Sequence, residues 1–133
     1  MADNHVDLMA MAGLRDELES LRKMAQEGDP VAQFNMGVRY AQGQGVPQDL
    51  VEAARWYGAA ADQGDAPAQF NLGLLFYQGQ SVDRSLEYAY ELFRLAALQG
   101  DARARAGLDA VLLELDTDSR ERLLREFPLP TAH

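Results

Sequence analysis

The chain has 133 residues, of which 47% are hydrophobic, and a formal net charge of -9 at pH 7. This length and composition are typical of one globular domain with its own buried core, and the excess of 21 acidic over 12 basic residues disfavours nucleic-acid binding, which depends on clustered Lys and Arg. The chain has no cysteine, which excludes disulfides, thiolate metal sites and thiol nucleophiles.

The first 28 residues predict one amphipathic helix. Its apolar stripe is spaced by three and four residues and consists of Met11, Leu14, Leu18, Leu21 and Ala25. Such a stripe can pack on the following unit or form the seam of a coiled coil through which the chain self-assembles. Because about two heptads are fewer than the roughly three or four that indicate a coiled coil, we expect packing within the chain and a free protein that is monomeric.

Two consecutive segments of 36 residues, 29–64 and 65–100, repeat the same pattern. The dipeptide Gly-Asp begins at positions 28, 64 and 100, and its aspartate is the first residue of the segment that follows. The two 36-residue segments align without gaps. A fixed period of 20 to 50 residues is typical of stacked structural repeats. Identical residues in the two units include Ala32/Ala68, Gln33/Gln69, Phe34/Phe70, Gly37/Gly73 and Gly43/Gly79.

Each unit is predicted to contain two helices, which we name A and B. In the first unit, Asp29 is the predicted N-cap of helix A, with Pro30 at the first helical position. Gly43 is expected to end this helix in the left-handed conformation. Helix B is predicted to begin near Asp49 and to end at Gly64.

Two glycines inside the A helices predict close helix contacts. Gly37 and Gly73 occupy equivalent positions, although glycine inside a helix costs roughly 1 kcal/mol relative to alanine. The space that they leave would allow aromatic side chains to interdigitate between helices. We therefore expect Tyr40, Trp56 and Tyr57 to belong to the core.

The last segment, residues 101–133, follows the period only in part. Asp109 stands where the earlier units have the mid-helix glycine, and Leu115 stands where they have the terminating glycine. A final helix is predicted, capped by Asp118 with Glu121 three residues later. Its expected buried residues are Leu123, Leu124 and Phe127.

The segments AQFNMGVRYAQGQGVPQDLVEAARWYGAAADQGD and AQFNLGLLFYQGQSVDRSLEYAYELFRLAALQGD resemble Sel-one-like repeats, which are relatives of the tetratricopeptide repeat. The resemblance covers residues 29–100 well and the flanks loosely. It implies an all-α fold: a right-handed α-solenoid of antiparallel helix pairs with about two full repeats plus capping helices. In this single domain, residues 1–28 would form the N-terminal capping helix, 29–64 repeat 1, 65–100 repeat 2, and 101–133 a degenerate repeat and C-terminal cap.

The resemblance also implies a protein-protein interaction adaptor. Relatives hold a peptide or partner domain on the concave side of the superhelix, which is lined by A helices. The residues of these helices that remain after the core is assigned are the predicted partner contacts: Asn35, Arg39, Gln42, Asn71, Tyr77 and Gln78. Asn and Gln side chains can bond the backbone of a partner, although Asn35 and Asn71 could instead brace neighbouring helices.

No residue pattern predicts catalysis, a metal site or a cofactor. Catalysis needs a nucleophile, a base or a metal in a defined geometry, and the only two histidines, His5 and His133, are near the chain ends. Some cysteine-rich relatives have been assigned hydrolytic activity, so a hydrolase is the alternative function from another class. The lack of cysteine argues against it, and we expect a protein that is not an enzyme.

The sequence predicts neither a membrane span nor a secretion signal. No apolar run approaches the roughly 18 to 20 residues that cross a bilayer, and the first residues carry Asp3 and Asp7 without a basic segment. We therefore expect a cytoplasmic protein. Among the basic residues only Lys23 is a lysine, a bias that GC-rich genomes produce and that favours a bacterial source.

Overall fold

The computed structural model describes residues 8–80 and 82–131. Within these residues the chain forms seven α-helices: α1 (Leu8–Gln26), α2 (Pro30–Gln42), α3 (Leu50–Asp62), α4 (Ala66–Gln78), α5 (Leu86–Leu98), α6 (Ala102–Glu114) and α7 (Thr117–Glu126). Each helix from α1 to α5 packs on the next one along the chain. The fold is the expected right-handed α-solenoid of antiparallel helix pairs, in which α2, α4 and α6 are A helices and α3 and α5 are B helices.

The helix ends follow the predicted capping residues. The Asp29 carboxylate accepts a hydrogen bond from the backbone N–H of Ala32 at 3.1 Å, and Asp49 accepts from two backbone N–H groups at the start of α3. These bonds satisfy donors that the first helical turn leaves unpaired. Gly43 and Gly79 end α2 and α4 with φ angles of 69° and 67°, which a residue with a Cβ rarely adopts.

The last helix, α7, begins at Thr117, two residues earlier than a cap at Asp118 would place it. Asp116, and not Asp118, is the N-cap of α7. Its carboxylate accepts from the Ser119 backbone N–H at 2.8 Å and from the Ser119 hydroxyl at 2.9 Å. Ser119 lies three residues after Asp116, at the position that an N-cap side chain bonds, so these two bonds favour Asp116 as the cap. Asp118 lies inside the first turn of the helix. Leu123 is buried as expected, whereas Leu124 and Phe127 are only half-buried.

The mid-helix glycines permit close contacts between helices. A Cβ atom at Gly37 would lie 2.5 Å from the Tyr57 ring, and one at Gly73 would lie 2.7 Å from the Phe93 ring. The third A helix has a similar contact, because a Cβ at Gly107 would lie 2.8 Å from the opposite side of Phe93. This contact was not predicted, because the 36-residue period places the equivalent of Gly73 at position 109, two residues after Gly107.

The aromatic residues are buried to different extents. Tyr57 is 4% exposed and belongs to the core, as expected. Tyr40 and Trp56 are half-buried and pack against the core without being fully enclosed by it. Both pack against the small cluster formed by Met36 with residues of α1 and α2.

The apolar stripe of α1 packs on α2 in part. Leu18, Leu21 and Ala25 contact the cluster that contains Met36. Leu14 is 60% exposed. The expectation that the stripe packs on the first unit was therefore wrong for this residue. The side chain of Met11 lies outside the described residues.

A buried glutamine joins three helices in each unit. The Gln33 side-chain amide donates to the carbonyl of Ala25 in α1 at 3.1 Å, and its oxygen accepts from the amide of Gln63 at 2.8 Å. Gln63 also donates to the Gly28 carbonyl at 2.9 Å. We call this arrangement the glutamine clasp. The second unit repeats it with Gln69, Ala61, Gln99 and Gly64.

Replacing Gln69 with leucine is expected to lower the free energy of unfolding by about 1–3 kcal/mol, because it removes two hydrogen bonds that each contribute about 0.5–1.5 kcal/mol. Gln69 is 4% exposed, and its side chain donates to the Ala61 carbonyl and accepts from the Gln99 amide. Urea unfolding followed by circular dichroism measures the effect. A double-mutant cycle with Gln99→Ala should give a coupling of roughly 0.5–1.5 kcal/mol, and additive effects would show that the clasp does not act as a unit.

Candidate partner-binding face

Four of the six predicted contact residues form two equivalent pairs on neighbouring A helices. Asn35 and Gln42 are exposed on α2, and Asn71 and Gln78 stand 36 residues later on α4, where Asn71 is half-buried and Gln78 is exposed. Residues seven apart in a helix lie on the same side. We therefore define the A-helix face as the side of α2 and α4 that these four residues mark.

Asn71 is engaged inside the protein. Burial raises the pKa of the Tyr57 hydroxyl, and a hydrogen bond from the Asn71 side chain acts in the opposite direction by stabilising the phenolate. Asn71 thus joins α4 to α3. Asn35 lacks an equivalent aromatic partner, because Leu21 stands in α1 at the position that Tyr57 has in α3.

Tyr77 belongs to a polar cluster that links α4, the following loop and α6. Its hydroxyl donates to the Glu114 carboxylate at 2.6 Å, which raises the pKa of Tyr77 and lowers that of Glu114. Arg84 forms an ion pair with Glu114, and its Nε donates to the Tyr77 carbonyl at 2.8 Å. A partner that bonds the Tyr77 hydroxyl would therefore compete with Glu114.

Arg39 lies in an open groove between α1 and α2. Two adjoining cavities of about 500 and 490 Å³ share Arg39 and Gln44 in their linings. We call them together the α1–α2 groove. The first cavity is also lined by Leu14, Arg15, Leu18 and Gly45, and the second by Glu17, Leu21, Asn35 and Val38.

Sequence reasoning missed the contribution of α1 to this groove. It assigned Leu14 and Leu18 to packing and did not single out Arg15 or Gln44. The signal that could have found the groove is in the repeat alignment itself, because Arg39 aligns with Leu75 of the next unit. A charged residue at a position that is otherwise apolar marks a local change in packing.

Residues 8–80 and 82–131 contain neither a metal-binding group of side chains nor a membrane-spanning helix. No group of three or more His, Cys, Asp or Glu side chains in this part of the chain is arranged to hold a metal ion. None of the helices that the structure describes combines the length and the hydrophobicity of a membrane-spanning segment.

Two solved structures share the fold and part of the sequence. A Sel1 repeat protein from Oxalobacter formigenes is 38% identical over 68% of this chain, with a TM-score of 0.67. The protective antigen c5321 of uropathogenic Escherichia coli strains, which displays an SLR fold, is 33% identical over 81% of this chain, with a TM-score of 0.69. The present chain spans only 26% and 24% of those two chains. No curated protein matches it.

The model of the Sel1 repeat matches residues 30–65 and 66–101, which together make up more than half of the chain. Sel1 repeats generally mediate protein-protein interactions, and proteins built from them are generally scaffolds without catalytic activity. With two matched repeats, seven helices in the described residues and solved structures that share the fold, the protein belongs to the Sel1 repeat family.

Proposed function

We propose that this protein is a non-enzymatic adaptor that binds a partner protein or peptide on the concave side of the solenoid, through the A-helix face. The observation that supports the proposal is a set of amide side chains without internal partners. Asn35, Gln42 and Gln78 are exposed, and none of their side chains forms a hydrogen bond in the described part of the chain. By contrast, the buried amides of Gln33 and Gln69 each donate one hydrogen bond and accept another in the glutamine clasp.

These free amides suit the recognition of a main chain. Each amide offers a donor and an acceptor, so two neighbouring A helices can bond the N–H and C=O groups of one extended segment. Gln42 and Gln78 stand at equivalent positions of consecutive repeats. A partner that crosses both helices would therefore meet the same chemistry twice.

Affinity capture from a lysate of the source organism tests the proposal. The full chain is compared with a variant that carries Asn35→Ala, Gln42→Ala and Gln78→Ala. Because each hydrogen bond contributes about 0.5–1.5 kcal/mol and 1.4 kcal/mol is tenfold in affinity, the variant is expected to lose at least about tenfold in affinity for the captured partner. Circular dichroism checks that it remains folded.

A matched control replaces exposed residues of the B helices. Val51, Leu95 and Leu98 are 53%, 43% and 53% exposed, and their alanine variants should retain the partner. Loss in this control together with retention in the A-helix variant would move the interface to the B helices and contradict the proposal. The failure of both proteins to enrich any partner would contradict the adaptor function.

A further inference from the structure

The first unit differs from the next two at one position of its A helix. Leu75 and Val111 stand 36 and 72 residues after Arg39. They are only 7% and 0% exposed, so this position belongs to the core in the second and third A helices. In the first A helix the core residue is replaced by Arg39, a half-buried arginine.

This replacement coincides with an open seam between helices. In the second unit, Leu75 belongs to the same core cluster as Leu50 and Ala54 of the preceding helix α3. Leu14 and Leu18 occupy the equivalent positions in α1, but there they line a cavity of about 500 Å³. The seam that apolar packing closes between α3 and α4 is therefore open between α1 and α2.

The groove carries positive charge that the protein does not neutralise. Arg15 and Arg39 both line the first cavity, and neither guanidinium group forms an ion pair or a hydrogen bond with the described residues. Glu17 lines the adjoining cavity without pairing with Arg39. Guanidinium groups without an internal partner in an open groove are available to a carboxylate of another molecule.

We propose that the α1–α2 groove binds a partner segment in which a carboxylate lies next to an apolar side chain the size of leucine. The carboxylate meets Arg39 and Arg15, since guanidinium groups bind carboxylates with paired hydrogen bonds. The apolar side chain rests on Leu14 and Leu18. The proposal rests on the adaptor function above and adds the chemistry of the ligand, and the cavity volume lies within the range of about 300–1,000 Å³ that is typical of ligand pockets.

Fluorescence anisotropy with defined peptides tests the chemistry. The ligand is a fluorescein-labelled peptide of sequence Gly-Ser-Asp-Leu-Asp-Ser-Gly, and the matched peptides replace both aspartates with asparagine or the leucine with serine. The full chain is expected to bind the first peptide saturably and each matched peptide at least about tenfold more weakly. Raising the ionic strength should weaken the first interaction, because salt screens exposed charges.

An Arg39→Leu variant tests the site. This substitution restores the residue type of the second unit, so the melting temperature is expected to stay the same or to rise, while binding of the aspartate peptide falls at least about tenfold. Arg55→Leu is the matched control, because Arg55 is exposed on α3 and pairs only with Glu52 of the same helix. The control should bind the aspartate peptide as the unmodified chain does.

Several results would overturn the proposal. These are equal binding of all three peptides, no saturable binding of any, or equal binding by the Arg39→Leu and Arg55→Leu variants. Light scattering that shows a dimer lost on Arg39→Leu would assign the groove to a second copy of this chain instead. If the groove fails while the captured partner still depends on Gln42 and Gln78, which do not line the groove, the adaptor function stands without this ligand chemistry.

Discussion

Replacing Phe93 with alanine is expected to destabilise the protein by about 3–5 kcal/mol, the range for removing a large buried aromatic side chain. Phe93 is 1% exposed in the largest core cluster. Its ring lies 5.7 Å from that of Phe70 and is held between the glycine faces of α4 and α6. Since small domains are stable by about 5–15 kcal/mol, a large share of the total would be lost.

Urea unfolding followed by circular dichroism measures this loss. The control is Leu98→Ala on the same helix, where the side chain is 53% exposed and a change within about 0.5 kcal/mol is expected, as for most surface substitutions. A large loss at Phe93 beside a small one at Leu98 would show that the buried face of α5 stabilises this core cluster. A loss of less than about 1 kcal/mol for Phe93→Ala would contradict that role of Phe93.

The two helix glycines Gly37 and Gly58 are expected to respond to alanine with opposite signs. A Cβ at Gly37 would lie 2.5 Å from the Tyr57 ring, whereas one at Gly58 would meet nothing within 4 Å. Gly37→Ala overpacks the contact between α2 and α3 and should cost about 1–3 kcal/mol. Gly58→Ala should stabilise the protein by roughly 0.5–1 kcal/mol, because alanine is the better helix former.

Thermal and urea unfolding of the two variants compare their stabilities directly, since both carry the same change from glycine to alanine. A shift of both variants in the stabilising direction would mean that the Tyr57 ring moves aside at little cost. The close contact between α2 and α3 would then not depend on glycine. The double variant should show additive effects if the two sites are independent.

The candidate site could be predicted from the sequence only in part. The repeat period identified which residues of α2 and α4 are equivalent, and it left Asn35, Gln42 and Gln78 as side chains without a role in the core. It could not show that Asn71 reaches Tyr57 or that Tyr77 bonds Glu114, which lies 37 residues away along the chain. Such pairings depend on how neighbouring units stack.

The sequence by itself determined the helices and their order, because caps, terminating glycines and apolar spacing act within a few residues along the chain. It also determined the repeat family through the two aligned segments. Only the tertiary structure decided that Gly107 contacts Phe93 and that Gln33 and Gln69 join three helices. It alone revealed the α1–α2 groove, since that groove results from the packing of α1 against α2, where Leu14 and Arg39 leave open a seam that the next unit closes.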